Sequence, residues 1–312
     1  MKQVKNYLSL IKFSHTIFAM PFAMIGFVLG LKAETSIFAD HDVWIGKLVL
    51  VVCCMVTARS AAMAFNRYLD RSFDALNPRT AIREIPAGII SANSALWFTI
   101  VMSALFVFGA WLINPLCFYL SPVALLVILG YSFTKRFTAL CHLVLGLGLS
   151  LAPIGAYLAV TGVFALLPIL FSFAVLFWVS GFDIIYSLQD EAFDKSLQLH
   201  SIPAALGKQK ALTVSRVLHL LSFAALFGAI FLGDWSLLYS IGLAFFNTTF
   251  LTCVSELAVH LCFNIAQSSY SFSLSRTLFY RLYLSQSEAN TGLASALITK
   301  FLCVSVCRAK AP

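Results

Sequence analysis

Residues 44–65 read WIGKLVLVVCCMVTARSAAMAF, and residues 66–74 follow directly as NRYLDRSFD. The first stretch is a continuous apolar run of the length that crosses a bilayer as a helix, about 20 residues. The second stretch concentrates charge, with two aspartates four residues apart in a chain that has 13 Asp+Glu among 312 residues. These two stretches together predict a membrane-spanning helix that is followed directly by a charged segment, and the rest of the fold is predicted by looking for the same arrangement elsewhere in the chain.

Apolar runs of this kind recur along the whole chain, which is 60% hydrophobic and 11% charged. Soluble domains carry roughly 25% charged residues, so a soluble fold is excluded. The composition and the runs together predict an all-α polytopic membrane protein with about nine transmembrane helices. The predicted spans are 15–31, 44–65, 94–113, 115–134, 141–161, 164–182, 212–232 and 236–257, with a ninth within 259–306, for which 290–306 is the favoured position.

The net charge of +8 follows the membrane topology. Lysine and arginine cluster at alternate ends of the spans, and because cytoplasmic loops carry the excess of these residues, the N-terminus and both acidic segments are predicted to face the cytoplasm. We therefore expect no nucleic-acid partner, and the predicted surroundings are the lipid bilayer. The residues on which this orientation rests are Lys2, Lys5, Lys12, Arg67, Arg71, Arg79, Arg83, Lys135, Arg136, Lys195, Lys208, Lys210 and Arg216.

A second acidic segment, residues 183–194, reads DIIYSLQDEAFD and follows the sixth span as the first segment follows the second span. Residues three or four apart share a helix face, so we expect one face to carry Asn66, Asp70 and Asp74, and another to carry the residues Asp183, Tyr186, Asp190 and Asp194. Carboxylate and amide oxygens on one face suit Mg²⁺, which completes its shell with water and substrate phosphate. The pair of segments predicts a magnesium ion and an anion that it holds.

Several cations lie close to these segments. Pro78 ends the first helix, and Arg79 and Arg83 follow in a loop. Arg59 lies one to two turns before Asn66, inside the second span, where a charge is costly unless it is paired. We expect Arg59 to pair with a carboxylate or with an anionic group of a substrate.

The motif Asn66-Arg67-x-x-Asp70-Arg71-x-x-Asp74-x-x-Asn77-Pro78-Arg79-Thr80 resembles the first signature of the UbiA superfamily of intramembrane aromatic prenyltransferases. Asp183-x-x-Tyr186-x-x-x-Asp190-x-x-x-Asp194 resembles the second signature. Further resemblance lies in the stretches 131–136, 152–153 and 161–162, and it covers residues 10–255. Asn77-Pro78-Arg79-Thr80 and His200-Ser201-Ile202-Pro203 are most similar to the 4-hydroxybenzoate polyprenyltransferase group and its naphthoate-using relatives of menaquinone synthesis.

This resemblance implies a single transmembrane domain over residues 1–312, with nine helices around a central cavity open to the lipid. It implies that both signatures hold a polyprenyl diphosphate through Mg²⁺, with Asp70, Asp74, Asp190 and Asp194 on the metal. Asp183 joins these four as a catalytic residue, and the general base is either Asp183 or Asp190. The expected substrate-binding residues are Asn66, Arg59, Arg79, Arg83, Tyr131, Lys135, Arg136, Tyr186 and Lys12.

The expected reaction moves a polyprenyl group onto an aromatic acid in ubiquinone or menaquinone synthesis, in a bacterial inner membrane. Lys12 and Arg59 are alternative partners for the carboxylate of the aromatic acid. Three other functions stay open: a secondary transporter, a lipid phosphotransferase, and a related transferase that acts on haem or a chlorophyll precursor. Carboxylates that cluster in i, i+4 pairs at the helix ends argue against the transporter, which tends to place charge near the membrane midplane.

Overall fold

The computed structural model describes residues 2–11 and 13–233, and all regular structure within this part of the chain is helical. The predicted spans 236–257 and 290–306 lie outside the described residues. The helices are α1 (Lys2–Leu10), α2 (Phe13–Ala33), α3 (Thr35–Ala39), α4 (His41–Leu69), α5 (Arg71–Leu76), α6 (Ala92–Ile113), α7 (Pro115–Thr134), α8 (Cys141–Thr161), α9 (Leu166–Ser187), α10 (Glu191–Ser196), α11 (Ile202–Leu206) and α12 (Lys208–Ala229).

Six of the described helices are long and apolar enough to cross a membrane: α4, α6, α7, α8, α9 and α12. Residues Ala19–Ala33 of α2 form a shorter apolar stretch. The prediction of an all-helical membrane protein is therefore confirmed. All described residues belong to the compact unit Met1–Thr252, and the single domain over 1–312 and the central cavity stay predictions.

Helix boundaries follow from side chains that cap exposed backbone groups. The Asp40 carboxylate accepts the amides of Asp42 and Val43 at the start of α4, and Ser91 accepts the amide of Ser94 at the start of α6. Gly162 directly follows α8 and has a φ of 69°. This left-handed conformation is strained for most residues but costs glycine little, so a glycine ends the helix here. These caps set the long helices to start and stop at alternate ends of the bundle.

The long helices pack as a bundle in which α4 contacts α6, α7 and α2, while α8 contacts α2, α7 and α9, and α9 contacts α12. Phe27 of α2, Val51 of α4 and Ala156 of α8 belong to one buried apolar cluster. The approach of α2 to α8 is close, because a Cβ added at Gly26 would lie 1.8 Å from the Pro153 carbonyl oxygen. Small residues at such contacts let helix backbones come together in a membrane.

Both acidic segments lie at the same end of this bundle, where α4, α7 and α9 end and α8 and α12 begin. We call it the acidic end. At the opposite end of the bundle, two polar side chains bind the backbone of α8 near its end. Asn114 Nδ2 donates to Leu158 O at 2.8 Å, and Lys47 Nζ donates to Ala159 O at 2.8 Å. The Leu158 carbonyl also accepts the Gly162 amide at 2.9 Å, so the two side chains add hydrogen bonds to the carbonyl groups that end α8.

Candidate active site

The first acidic segment crosses a helix boundary. Helix α4 ends at Leu69, and Asp70 separates it from α5. The prediction of one continuous helix through Asp74 is wrong in this respect, although Asn66 Nδ2 still donates to Asp70 Oδ2 at 2.9 Å. Asn66 and Asp70 thus share a face as expected, whereas Asp74 is held by a different partner.

Asp74 is buried and faces the loop that follows α5. Its two carboxylate oxygens accept from Arg83 Nη1 at 2.7 and 2.8 Å, and Thr80 Oγ1 donates to the Asp74 carbonyl at 3.0 Å. Asn77 ends α5 one residue before Pro78, as predicted, and its side-chain oxygen accepts the amide of Arg79. The loop is therefore folded back against the carboxylate that precedes it.

The second acidic segment is also divided among several short elements. Helix α9 ends at Ser187, a 3-10 turn covers Leu188–Asp190, and α10 starts at Glu191. The expectation that Asp183, Asp190 and Asp194 line one helix face is therefore wrong. The break directs the three carboxylates to three different sets of partners.

Asp190 joins the second segment to the first. The Arg79 guanidinium donates to both of its oxygens, with Nη2 at 2.5 Å from Oδ2 and Nε at 3.2 Å from Oδ1. Arg79 Nη1 also donates to the Tyr186 hydroxyl at 3.3 Å. The structure thus brings together three predicted site residues from sequence positions more than one hundred apart.

Asp194 is fully buried, which its position in a charged segment did not indicate. Lys135 Nζ lies 2.7 Å from Asp194 Oδ1, and Ser201 Oγ donates to Asp194 Oδ2 at 2.8 Å. Oδ2 is thus hydrogen-bonded, and Oδ1 is held by the ion pair without a hydrogen bond from the described residues. This geometry favours Asp194 as the residue that holds Lys135 in place.

The loop between α7 and α8 serves both segments through two adjacent cations. Lys135 contacts Asp194, whereas Arg136 Nη2 lies 3.6 Å from Asp70 Oδ1. The loop is fixed at the same time by its backbone, since the His200 amide donates to the Lys135 carbonyl at 2.8 Å. Two neighbouring side chains therefore connect segments that are far apart in sequence.

Four carboxylates at the acidic end are consequently each paired with one cation: Asp70 with Arg136, Asp74 with Arg83, Asp190 with Arg79, and Asp194 with Lys135. The Asp70 pair is the longest of these contacts. Burial raises the pKa of the Asp70 carboxyl to about 6, and the negative charge of Asp74 adds to this effect. The negative charge around Asp70 is thus incompletely balanced by protein groups alone.

Among residues 2–11 and 13–233, no three or more His, Cys, Asp and Glu side chains are grouped so as to hold a metal ion. The donor chemistry nevertheless fits Mg²⁺, which takes one or two protein carboxylates and draws its other ligands from phosphate and water. The poorly balanced charge at Asp70 is consistent with an additional cation at this position. The residues therefore fit a magnesium ion that binds together with a phosphate-bearing ligand.

A second layer of polar groups lies deeper in the bundle. Arg59 precedes Asn66 by seven residues within α4, so it lies about 10 Å farther along that helix, and Asp183 lies within α9, one helical turn before its end at Ser187. Tyr131 of α7 is within electrostatic reach of Asp70, Arg59 and Asp183. Arg59 Nε is buried and has no hydrogen-bond partner in the described part of the chain. The predicted residues Arg59, Tyr131 and Asp183 are thus near one another.

Sequence reasoning missed His142, whose Nδ1 lies 2.7 Å from Asp183 Oδ2. A histidine in the first turn of an apolar span was the available signal. It also missed Glu84, which is buried and accepts from Ser9 Oγ at 2.5 Å, linking α1 to the loop that carries Arg83. The predicted residue Lys12 lies outside the described residues.

Comparison with known proteins gives a consistent family. The model of the UbiA prenyltransferase family matches residues 19–258, which include both acidic segments and the α7–α8 loop. The 4-hydroxybenzoate octaprenyltransferase of Tolumonas auensis is 33% identical over 168 residues, 54% of this chain and 59% of the relative. The alignment thus spans less than two thirds of that relative's length.

Two solved structures share the fold. The apo structure of a UbiA homolog from Aeropyrum pernix K1 has a TM-score of 0.67 and 31% identity, covering 78% of this chain and 92% of that one. A UbiA homolog from Archaeoglobus fulgidus, solved with DMAPP and Mg²⁺ bound, has a TM-score of 0.66 and 21% identity, covering 96% and 99%. On the family match and the shared fold, the chain belongs to the UbiA prenyltransferase family.

Proposed function

We infer that the protein transfers a polyprenyl group from a polyprenyl diphosphate to a ring carbon of an aromatic acid, either 4-hydroxybenzoate or a dihydroxynaphthoate, in quinone biosynthesis. The observation that carries this proposal is the set of four carboxylate–cation pairs at the acidic end. Such a set offers ligands for a metal ion and for an anion within one site. The rest of the proposal assigns each group a task.

The arginines are assigned to the diphosphate. Arg79, Arg83 and Arg136 are each one quarter to two fifths exposed, so they are accessible to a ligand, and guanidinium groups bind phosphate oxygens in a bidentate manner. When they turn to the diphosphate, Asp190, Asp74 and Asp70 are released from their ion pairs. Lys135, which is 37% exposed and held by Asp194, contributes a fourth positive charge.

The released carboxylates are assigned to the metal. Asp70, Asp74 and Asp190 are the candidate ligands, of which one or two would hold Mg²⁺ directly, with Asn66 supporting Asp70 through its amide. Asp194, the fourth predicted ligand, is instead assigned to Lys135, because the lysine and Ser201 already engage its two oxygens. Bound Mg²⁺ would supply positive charge that stabilises the diphosphate leaving group. Exchange of ion-pair partners keeps the site nearly neutral with and without ligands, which limits the cost of charge near the membrane.

The aromatic acid is assigned to the deeper layer. Arg59 has a buried guanidinium nitrogen without a hydrogen-bond partner among the described residues, and an aromatic carboxylate would satisfy it. Tyr131 is within electrostatic reach of both Arg59 and Asp70. The ring would then lie between the diphosphate site and Arg59, with a carbon ortho to its phenol facing the allylic carbon. Lys12 is the alternative partner for the carboxylate.

In the reaction, the ring carbon forms a bond to the allylic carbon while the bond from that carbon to the diphosphate oxygen breaks. Arg79, Arg83, Arg136 and Lys135 would stabilise the charge that develops on the diphosphate, which is where preorganised donors have the largest effect. The ring then loses one proton to a base in the site and regains its aromaticity. The products are the prenylated aromatic acid and diphosphate.

The comparisons support this assignment. The Tolumonas auensis relative is a 4-hydroxybenzoate octaprenyltransferase, and the Archaeoglobus fulgidus homolog was solved with a prenyl diphosphate and Mg²⁺. The placement of lysine and arginine supports a cytoplasmic acidic end. We accordingly place the protein in a bacterial inner membrane with its site open to the cytoplasm, where both substrates are available.

The test is product formation in membranes that contain the protein, with labelled prenyl diphosphates and a panel of aromatic acids, and identification of the product by mass. We expect Mg²⁺-dependent transfer that falls at least about 100-fold in Asp74→Asn and Asp190→Asn, since each removes a group that the charged transition state needs. Glu191→Gln is the matched control, because Glu191 adjoins Asp190 but pairs with Lys195. Transfer at the wild-type rate in either aspartate variant contradicts the metal assignment, and a product formed only with a porphyrin or chlorin acceptor contradicts the aromatic-acid assignment.

A further inference from the structure

The orientation of Asp183 is set by a histidine that has its own fixed partner. His142 Nδ1 lies 2.7 Å from Asp183 Oδ2, and the Ile202 amide donates to His142 Nε2 at 3.3 Å. Because Nε2 accepts a hydrogen bond, the proton of the neutral ring is on Nδ1, which donates to the carboxylate. The His142 side chain is 3% exposed, so its ring has little freedom to turn.

Asp183 differs from the other carboxylates in the charge of its neighbours. Asp190 is engaged by two nitrogens of Arg79, and Asp74 by Arg83, whereas the only ion-pair or hydrogen-bond partner of Asp183 in the described chain is His142. The Asp183 side chain is 29% exposed. One of its oxygens is thus held by the imidazole, and the other is available to a ligand.

The position of Asp183 also separates it from the diphosphate site. It lies within α9, one helical turn before that helix ends at Ser187, whereas Asp190 lies beyond this end in the 3-10 turn, and it is within electrostatic reach of Tyr131. Arg59 occupies the matching depth on α4. A ring held between Arg59 and the diphosphate would therefore be closer to Asp183 than the diphosphate is.

We propose that Asp183 is the base that takes the proton from the prenylated ring carbon, and that His142 is a positioning residue that holds Asp183 for this step. The proposal rests on the proposed function and decides between Asp183 and Asp190 as the base. The carbon–hydrogen bond at the new prenyl-bearing carbon breaks, its electron pair returns to the ring, and the proton passes to the free oxygen of Asp183. The hydrogen bond from His142 stays on the other oxygen throughout.

This division of tasks follows from what each carboxylate contacts. A carboxylate that binds a metal ion or an arginine is a weaker base, because the positive charge stabilises its ionised form. His142 contacts only one oxygen of Asp183, whereas both oxygens of Asp190 accept from the Arg79 guanidinium. Asp183 is therefore the candidate with an oxygen free to take a proton, as well as the one on the deeper side of the site.

The experiment measures prenyl transfer by the full-length protein in membranes, with 4-hydroxybenzoate and with the same acid deuterated at both carbons ortho to the phenol. In the wild type we expect equal rates, because loss of the ring proton follows a slower bond-breaking step. In Asp183→Asn we expect kcat to fall about 10²- to 10⁴-fold, the usual contribution of a positioned base, and the deuterated acid to react more slowly than the normal one. A structural defect would lower the rate without producing an isotope effect.

His142 is tested by two variants that differ in hydrogen bonding. Glutamine can donate to Asp183 through its amide nitrogen and accept from Ile202 through its oxygen, so His142→Gln should stay within about tenfold of wild type, whereas His142→Leu should lose a further tenfold or more and show the isotope effect. His41→Gln, at the opposite end of the bundle, is the matched control and should leave kcat unchanged. Thermal unfolding and Mg²⁺-dependent binding of a prenyl diphosphate, measured on every variant, identify those that fold and bind normally.

The outcomes separate this proposal from the proposed function. If the wild type forms no prenylated aromatic acid, the proposed function fails and the proton assignment fails with it. If the wild type is active but Asp183→Asn keeps its rate, or is slow without an isotope effect, only the proton assignment is overturned. An isotope effect in Asp190→Asn and not in Asp183→Asn would transfer the role to Asp190.

Discussion

The two acidic segments have similar sequences but obtain their counter-charges in different ways. The first segment is balanced partly from nearby, since Asp74 pairs with Arg83 nine residues later, and partly by Arg136 of the α7–α8 loop, which lies 3.6 Å from Asp70. The second segment depends on distant parts of the chain: Arg79 reaches Asp190, Lys135 reaches Asp194, and His142 reaches Asp183. Lys195, which directly follows this segment, pairs with Glu191 on the exposed side of the protein.

Burial also differs between two carboxylates, one from each segment. The Asp70 side chain is 28% exposed and lies 3.6 Å from its cation, whereas Asp194 is fully buried and lies 2.7 Å from its cation. Asp70 is thus the more accessible and the less completely balanced of the two, and Asp194 is the more firmly fixed. We infer that Asp194 anchors the site while Asp70 adapts to the ligand, and this difference predicts opposite effects of neutralising each of them.

Neutralising Asp194 should have the largest effect on stability. Asp194→Asn removes the charge that Lys135 contacts inside the protein, and breaking a buried ion pair on one side costs about 3–5 kcal/mol. The free energy of unfolding in detergent micelles measures this loss. Both partner cations are similarly exposed, at 37% for Lys135 and 38% for Arg79, but the Asp190 carboxylate is itself 15% exposed whereas Asp194 is fully buried. Asp190→Asn should therefore cost less, about 1 kcal/mol; equal losses in the two variants would contradict the distinction between anchoring and adaptable carboxylates.

Neutralising Asp70 should act in the opposite direction when no metal is present. Burial raises the Asp70 pKa from 3.8 to about 6, so between these values the unfolded chain has lost a proton that the folded protein keeps. Stability that depends on the protonated carboxyl is therefore present below about pH 4 and is lost as the pH rises through about 6. Asp70→Asn avoids this loss and should exceed the wild type at pH 7 by up to about 3 kcal/mol.

The measurement is the free energy of unfolding of both proteins between pH 4 and pH 7.5, with EDTA present. The advantage of the Asp70→Asn variant should grow between pH 4 and 6 and then stay constant. A constant difference over the whole range would show that Asp70 is ionised in the folded protein at low pH. Added Mg²⁺ and diphosphate should stabilise the wild type more than the variant.

The smallest effect is expected at the exposed pair of the second segment. Lys195 Nζ lies 2.7 Å from Glu191 Oε1, and the lysine side chain is 52% exposed. Pairs of this i, i+4 type contribute about 0.3–0.5 kcal/mol, so Lys195→Ala should lower the unfolding free energy by about this amount and leave prenyl transfer unchanged. A larger loss of activity would place Lys195 in the diphosphate site.

The sequence predicted the long helices well because their apolar runs are continuous. Helix α7, at Pro115–Thr134, has the predicted bounds, since Asn114 and Pro115 are strong signals for a helix start. The breaks at Asp70 and Leu188 were missed, because the periodicity of the aspartates is compatible with an unbroken helix. The contacts on the far side of these breaks are tertiary ones that the periodicity does not contain: Asp74 pairs with Arg83 and Asp194 with Lys135.

The residue types of the site were also predictable, but the pairings were not. Lys135 and Arg136 are adjacent in sequence, and only the folded structure shows that one serves each segment. His142 was missed because a single histidine in an apolar span is usually a packed residue. Its role becomes visible only when α8 and α9 bring it to Asp183.

The most direct test of a single site shared by both segments is the binding of geranyl S-thiolodiphosphate, an analogue whose diphosphate leaves slowly, measured with Mg²⁺ and with EDTA. The wild type should bind the analogue much more tightly with Mg²⁺. Asp74→Asn and Asp190→Asn should each lose this metal-dependent gain by at least about tenfold, while Glu191→Gln keeps it. Wild-type Mg²⁺-dependent affinity in either aspartate variant would contradict a site built from both segments.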